Sequence, residues 1–288
     1  MKSLIQVIKD AEKRKVAIGH FNISDIAAFL AIWKAARELN VPVVIGVSEG
    51  EREFIGTGDA VALIKSIRDE HKYPIFLNAD HTYSLDKIKE AVIGGCDSVI
   101  FDGAKLSFEE NVARTKEVVE YVKSHDPNIL VEGELGYIGQ SSKLLDKVPE
   151  GAAQGLSLTT AKEAEQFVRE TKIDMLAPAV GNIHGMLKNM PEPKLDIERI
   201  REIKQAVKIP LVLHGASGNT PEDLIAAIHT GISLIHINTE IRVAWKKGIE
   251  KALKDMPDEV APYKFLAKSE DEIYKVVLEK LKIFSGLQ

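Results

Sequence analysis

The sequence predicts an α/β fold, a (β/α)8 TIM barrel with an additional C-terminal helix, as a single domain over 1–288. Three observations carry that prediction. Eight short, β-branched apolar runs alternate with eight longer amphipathic stretches, the pattern of βα units on a parallel sheet. A chain of 288 residues suits one such barrel, which typically takes about 250. No glycine-rich dinucleotide fingerprint follows the first run, where the chain reads His20-Phe21-Asn22-Ile23-Ser24, and this argues against an open doubly wound sheet.

The predicted strands are 16–20, 43–47, 75–79, 98–101, 129–134, 175–180, 210–214 and 233–238. Between them the 3.6-residue period predicts helices at 25–39, 59–68, 84–93, 107–123, 160–170, 196–206 and 221–229, with an eighth at 239–254. Ser84 stands where its hydroxyl can accept from the backbone N–H of Lys87. Thr220 does the same ahead of Pro221, which fits the first helical position. Gly94-Gly95 and Thr230-Gly231 follow the last periodic residues as stops. A further charged, amphipathic helix is predicted at 269–287.

Composition narrows the functional classes. Lys plus Arg number 38 against 43 Asp plus Glu, a formal charge of −5, with no basic block of the kind nucleic-acid binding requires. Cys96 is the single cysteine and forms no intramolecular disulfide. Lys9, Asp10 and Glu12 interrupt the N-terminus before a signal peptide could form, and apolar runs such as 41–47 fall far short of the roughly 20 residues that span a bilayer. The expectation is a cytoplasmic protein with neither a membrane nor a nucleic-acid partner.

Barrels place function at the C-terminal ends of their strands. His20, His81, His184, His214 and His236 fall at or beyond strand ends on that rim, whereas His71, His125 and His229 precede strands on the opposite one. Asp80, Asp102, Glu132 and Glu134 gather with the first set, and Glu132 and Glu134, two apart, share a face. Carboxylates buried toward a barrel interior require a compensating cation, and three imidazoles with one open position form a recurrent catalytic zinc arrangement. Glu134 offers an oxygen to such an ion; the competing reading is internal ion pairing to Lys105 or Lys188. The stretches Leu213-His214-Gly215-Ala216-Ser217-Gly218 and Ile237-Asn238-Thr239-Glu240 offer small residues, hydroxyls and backbone N–H groups beside a helix start, which suits phosphate. The sixth and seventh strands carry no lysine, which disfavours an imine mechanism.

These residues resemble the class II, metal-dependent ketose-bisphosphate aldolases that act on fructose and tagatose bisphosphates. The resemblance covers nearly the whole chain, through Val47-Ser48-Glu49-Gly50, Asn78-Ala79-Asp80-His81, Ile100-Phe101-Asp102-Gly103, Phe108-Glu109-Glu110-Asn111, Val131-Glu132-Gly133-Glu134-Leu135-Gly136, Gly181-Asn182-Ile183-His184-Gly185, His214-Gly215-Ala216-Ser217-Gly218 and Asn238-Thr239-Glu240. It implies a zinc-dependent lyase, with Co²⁺ or Fe²⁺ able to satisfy similar ligands and a monovalent cation as a further ion. His81, His184 and His214 match the zinc-binding histidines, Glu134 an alternate metal contact, Asp80 the residue that exchanges a proton with the C4 hydroxyl, and Asp102 an acid near the metal. Gly185, Lys188, Gly215, Ser217, Asn238 and Thr239 match positions around the ketose phosphate, Ser48 and Ala216 join them as substrate-binding positions, and Arg242 resembles an arginine that reaches the distal phosphate. Homodimers and homotetramers are common in the family.

The chain also departs from the family pattern. His236 replaces an Asn that contacts the enediolate, Asn238 stands where fructose-specific members often carry Asp, and the fifth loop reads Ile138-Gly139-Gln140-Ser141-Ser142 instead of Gly-Gly with acidic residues. Glu150 is the acidic residue left as a candidate for shuttling a proton to the product carbanion. Two alternatives follow: a sugar-phosphate-binding relative without turnover, and a barrel metallohydrolase. The latter normally uses a His-x-His pair, which His20-Phe21-Asn22 lacks.

Overall fold

The computed structural model describes residues 2–139, 142–153 and 158–287. Eight parallel strands close into a barrel: β1 (Ile18–Asn22), β2 (Val43–Val47), β3 (Ile75–Thr82), β4 (Ser98–Phe101), β5 (Leu130–Leu135), β7 (Met175–Pro178), β9 (Leu211–Leu213) and β10 (Ile232–Ile237). A separate two-stranded pair, β6 (Leu144–Leu145) with β8 (Met186–Leu187), joins the loops that follow β5 and β7. The outer ring comprises α2 (Ile26–Leu39), α4 (Thr57–His71), α5 (Leu85–Gly94), α6 (Phe108–His125), α7 (Ala161–Thr171), α8 (Ile197–Val207), α9 (Pro221–Thr230) and α10 (Thr239–Asp255). Three further helices are α1 (Leu4–Arg14), α3 (Glu49–Ile55) and α11 (Pro262–Ser285), and α11 packs on α2 and α10.

The barrel and its alternation agree with the sequence reading, and the differences have local causes. β1 starts two residues later than the predicted 16–20 because the N–H of Ala17 is taken by the carbonyl of Phe284 in α11, outside the ladder. α11 begins at Pro262, whose missing N–H costs nothing at a first helical position, and so is longer than the predicted 269–287. Ser84 and Thr220 cap as predicted, accepting from the N–H groups of Lys87 and Asp223. α1 and α3 lie in segments that the period analysis left as loop.

Inside the barrel, alternate residues point inward and form layers. Ile18, Val44, Phe76, Leu130, Met175, Val212 and Leu234 make an apolar lower layer, sealed from below by Leu4, Val7, Ile8 and Ala11 of α1. The next inward positions are polar: His20, Asn78, Ser98, Glu132 and His236 are all buried. Gly46 belongs to this layer, since a Cβ there would lie 2.1 Å from Cε1 of His20. The larger apolar core fills the space between strands and helices.

Candidate active site

Two consecutive residues of an extended strand normally face opposite sides of the sheet. β3 escapes that rule at its upper end. His81 takes a left-handed backbone conformation (φ 32°), and the pairing of β3 with β4 shifts register between Ala79 and Thr82. Asp80 and His81 therefore both reach the upper interior. The bulge is gripped by Arg52 of α3, a buried guanidinium that donates to the carbonyls of Val47 (2.6 Å) and Asp80 (3.3 Å) and to Oγ1 of Thr82 (3.0 Å).

His81 meets His184, on the loop after β7, and His214, just beyond β9; one ring nitrogen from each lies within 4.8 Å of the others. The outward nitrogens are held by acceptors. His81 Nδ1 donates to Asp102 Oδ2 (3.0 Å), His184 Nδ1 to the carbonyl of Gly139 (2.8 Å), and His214 Nε2 to Glu132 Oε1 (2.6 Å). Those partners fix the tautomers, leaving lone pairs on His81 Nε2, His184 Nε2 and His214 Nδ1. His214 Nδ1 and His81 Nε2 are 3.1 Å apart. Two lone pairs that close repel unless a proton or a metal cation lies between them, and nitrogens sharing a tetrahedral ion at the usual bond length are separated by roughly 3.3 Å. Glu134 Oε2, buried and without a hydrogen-bond partner, stands 3.4 Å from His81 Nδ1. The donor set and its spacing fit a divalent metal ion, and Glu134 stands by the other nitrogen of His81.

Without a metal, a proton on His81 fills the gap between the facing nitrogens. Burial alone would lower His81, but Asp80, Asp102 and Glu134 override it and lift the imidazole to about 10. Burial, reinforced by Asp102, raises the Glu134 carboxyl to about 8. Burial and the other two histidines drop His184 to about 3. Burial works against ionisation of Asp80, yet the neighbouring His81, with His236 and His20, holds it well below the ordinary carboxylate range.

Asp80 Oδ2 accepts from Asn22 Nδ2 (2.9 Å). Its other oxygen has no hydrogen-bond partner, although His236 Nδ1 lies 3.4 Å away. His236 is sandwiched between His20 and His214, with ring centroids at 3.5 and 4.1 Å, and both its nitrogens lack partners. His20 is tied to Asn78 (3.0 Å).

Gly185, Gly215, Ser217, Asn238 and Thr239 line a small cleft beside the three histidines. Gly215 needs its positive φ of 58°, and a Cβ there would sit 2.2 Å from the carbonyl oxygen of Ile183, two residues from Gly185. The N–H of Gly218 is engaged by Glu240 (2.7 Å), and Ala216 is buried beneath the loop. The cleft opens into a cavity of about 500 Å³ bordered by Ser48, Tyr83, Lys143 and Arg242. Lys188 lies apart from both, paired with Asp146 (3.0 Å), so neither it nor Arg242, which binds Glu51, neutralises Glu132 or Glu134. Of the fifth loop, Gln140 and Ser141 lie outside the described residues, and Glu150 is exposed.

Sequence reasoning missed Asn22, Glu51 and Arg52. Asn22 carried a signal: it is a polar residue two positions after His20 in an apolar strand. The other two sit on a seven-residue helix with no period to read.

Comparison with known proteins agrees with this geometry. A family model for fructose-bisphosphate aldolase class-II matches residues 2–287. The chain is 36% identical over 285 residues to the fructose-bisphosphate aldolase of Staphylococcus aureus, covering 98% of this chain and 96% of that one. It is 35% identical over 287 residues to a probable fructose-bisphosphate aldolase of Bacillus subtilis, covering 99% and 97%. Among solved structures, the YdjI aldolase from Escherichia coli K12 superposes with a TM-score of 0.82 at 28% identity, over 99% of this chain and 97% of that one. Matched along its whole length, the chain belongs to the class-II fructose-bisphosphate aldolase family of metal-dependent lyases.

Proposed function

We propose that the protein cleaves a ketose 1,6-bisphosphate, fructose 1,6-bisphosphate first among them, reversibly to dihydroxyacetone phosphate and glyceraldehyde 3-phosphate. The observation that carries this reading is the convergence of one lone pair each from His81, His184 and His214 beside the ionised carboxylate of Asp80. The three histidines would hold zinc, with Glu134 as an alternate ligand. When bound, the ion supplies electrophilic polarisation of the C2 carbonyl and stabilises the charge that develops there.

Asp80 is the base. Its unpartnered oxygen takes the C4 hydroxyl proton, the C3–C4 bond breaks with its electron pair passing to the ketone half, and the aldehyde half leaves; C3 of the ketone half then gains a proton to give dihydroxyacetone phosphate, with Glu150 as the candidate donor. Asn22 keeps the carboxylate aimed by donating to its other oxygen. His236, within the cleft, is placed to donate to substrate oxygen in the role a family Asn fills. Asp102 and Glu132 orient their histidines and keep the inward nitrogens basic.

The N-terminus of α10, with Asn238 and Thr239, and the Gly215–Ala216–Ser217 turn would receive the ketose phosphate together with Gly185. Lys188 would join them only by leaving Asp146. Ser48 and Arg242, which border the outer cavity, would face the distal phosphate. We place the protein in the cytoplasm as one barrel domain assembling into homodimers or homotetramers, with zinc, or else Co²⁺ or Fe²⁺, and a monovalent cation as ions; among the described residues no helix is long and apolar enough to cross a membrane.

The test is cleavage of fructose 1,6-bisphosphate before and after chelation, with zinc restored. Activity should vanish on chelation and return with the metal. Chelator-insensitive cleavage would remove the metal, and binding of the sugar phosphate without cleavage of any ketose bisphosphate would make the chain a binding relative.

A further inference from the structure

Glu51 is a buried carboxylate with no part in the chemistry above, yet it touches both ends of the site. Its Oε2 accepts from Nδ2 of Asn22 (2.9 Å) and from the main-chain N–H of Ser48 (2.8 Å). Its Oε1 accepts from Nη2 of Arg242 (2.8 Å) and from Oγ of Ser24 (3.3 Å). The same Asn22 nitrogen gives its second proton to Asp80. We propose that Glu51 is a positioning residue that ties Arg242, at the mouth of the site, to Asp80, on its floor, through the amide of Asn22.

Two arguments carry this. An amide has one donor end and one acceptor end. With carboxylates at both Asp80 and Glu51, only the orientation with Nδ2 toward both is tolerable, because a flipped amide would set its oxygen against two anions. Glu51 thus locks the group that aims Asp80. At the other end, the Arg242 side chain is 44% exposed and borders the 500 Å³ cavity. One nitrogen held by Glu51 leaves the rest of the guanidinium facing that cavity with fewer rotamers to lose when an anion binds. The inference rests on the proposed aldolase reading, and it adds that order at the distal anion and order at the base share one carboxylate.

Glu51 also caps α3, so the test must separate positioning from folding. Two variants do so: in Glu51→Gln the one carbonyl oxygen, kept on the Ser48 N–H, also keeps Asn22 while the amide nitrogen turns to Arg242, so only the Arg242 arm is cut, whereas Glu51→Ala cuts both arms. With fructose 1,6-bisphosphate both variants should raise KM about 3- to 10-fold, the scale of one newly free side chain, and Glu51→Ala alone should lower kcat about 10- to 100-fold, the scale expected for a misaimed group. With fructose 1-phosphate, which lacks the distal phosphate, KM should stay unchanged in both while the kcat loss of Glu51→Ala persists. In an Asn22→Ala background Glu51→Ala should alter kcat less than about 2-fold, because the connection is already cut.

An unchanged KM in Glu51→Gln, or an unchanged kcat in folded Glu51→Ala, would reduce Glu51 to a helix cap and overturn the proposal. So would a kcat loss that adds in full to that of Asn22→Ala, or a KM rise shared by both substrates. If the parent protein cleaves neither sugar, the aldolase reading fails separately. Calorimetric binding of the reduced, non-cleavable hexitol 1,6-bisphosphate and hexitol 1-phosphate then decides the Arg242 arm: Glu51→Gln must weaken only the bisphosphate, and equal effects overturn it.

Discussion

The lower and upper halves of the barrel interior are lined by the same strands in the same alternation, and they differ in almost everything else. Below, Ile18, Phe76, Leu130, Met175, Val212 and Leu234 interlock under the cover of α1. Above, His20, Asp80, Glu132, Glu134, His214 and His236 are buried just as deeply, and several of their polar atoms have no partner. Apolar burial stabilises by about 25 cal/mol per Å². An unpaired buried polar group costs about 1–3 kcal/mol. The lower half therefore carries stability that the upper half consumes, and the two should respond oppositely to substitution.

The sharpest way to break that contrast is at Asp80. Asp80→Ala should lower turnover by about 10²- to 10⁴-fold with little change in the unfolding midpoint, since it removes the desolvation cost of a buried carboxylate together with its attraction to His81, His236 and His20. A midpoint that drops along with activity would make the carboxylate a fold determinant. Phe76→Ala tests the other half: a fully enclosed ring replaced by methyl should cost about 3–5 kcal/mol in denaturant unfolding, while kcat measured below the transition stays within a few-fold. Between the layers, Gly46→Ala drives a methyl against His20 and should cost about 1–3 kcal/mol, with a fall in kcat if the His20–His236 stack moves.

The smallest effect is a pH response confined to the upper half. Chelated protein holds a proton on Glu134 up to about pH 8, whereas the unfolded chain releases it near 4.5. The folded state binds more protons across that interval, so stability falls as pH rises. His20 and His184, lowered to about 4 and about 3, oppose this only up to their ordinary value of 6.5. From pH 6.5 to 8 the Glu134 contribution is a loss of at most about 2 kcal/mol, seen as a falling denaturant midpoint. His81, lifted to about 10, falls in the same direction. His214, also raised, adds to the His81 share, so Glu134→Gln should flatten the slope to those two, and an unchanged slope would clear Glu134 of the effect.

Much of this was readable in the chain because period and rim position are local properties. Eight apolar runs predict the barrel, and five histidines at strand ends mark the working face. The lower seal escaped although it is local: Leu4, Val7, Ile8 and Ala11 have helical spacing, but the charges among them obscured it. What escaped depends on distance through space. Nothing near Arg52 in sequence says that its guanidinium will lie on the carbonyl of residue 80, or that Glu51 will meet an arginine from α10. The register shift in β3 was equally hidden, since Asp80-His81 reads as ordinary alternation until the backbone turns left-handed.

That turn joins the proposed base and one proposed ligand by a single peptide unit, whose Cα atoms are about 3.8 Å apart. The pair is consequently a rigid cassette: no loop insertion or hinge can lengthen the span between proton acceptor and ion. Retuning the metal without disturbing the base would have to proceed through His184, the member carried on a loop of its own.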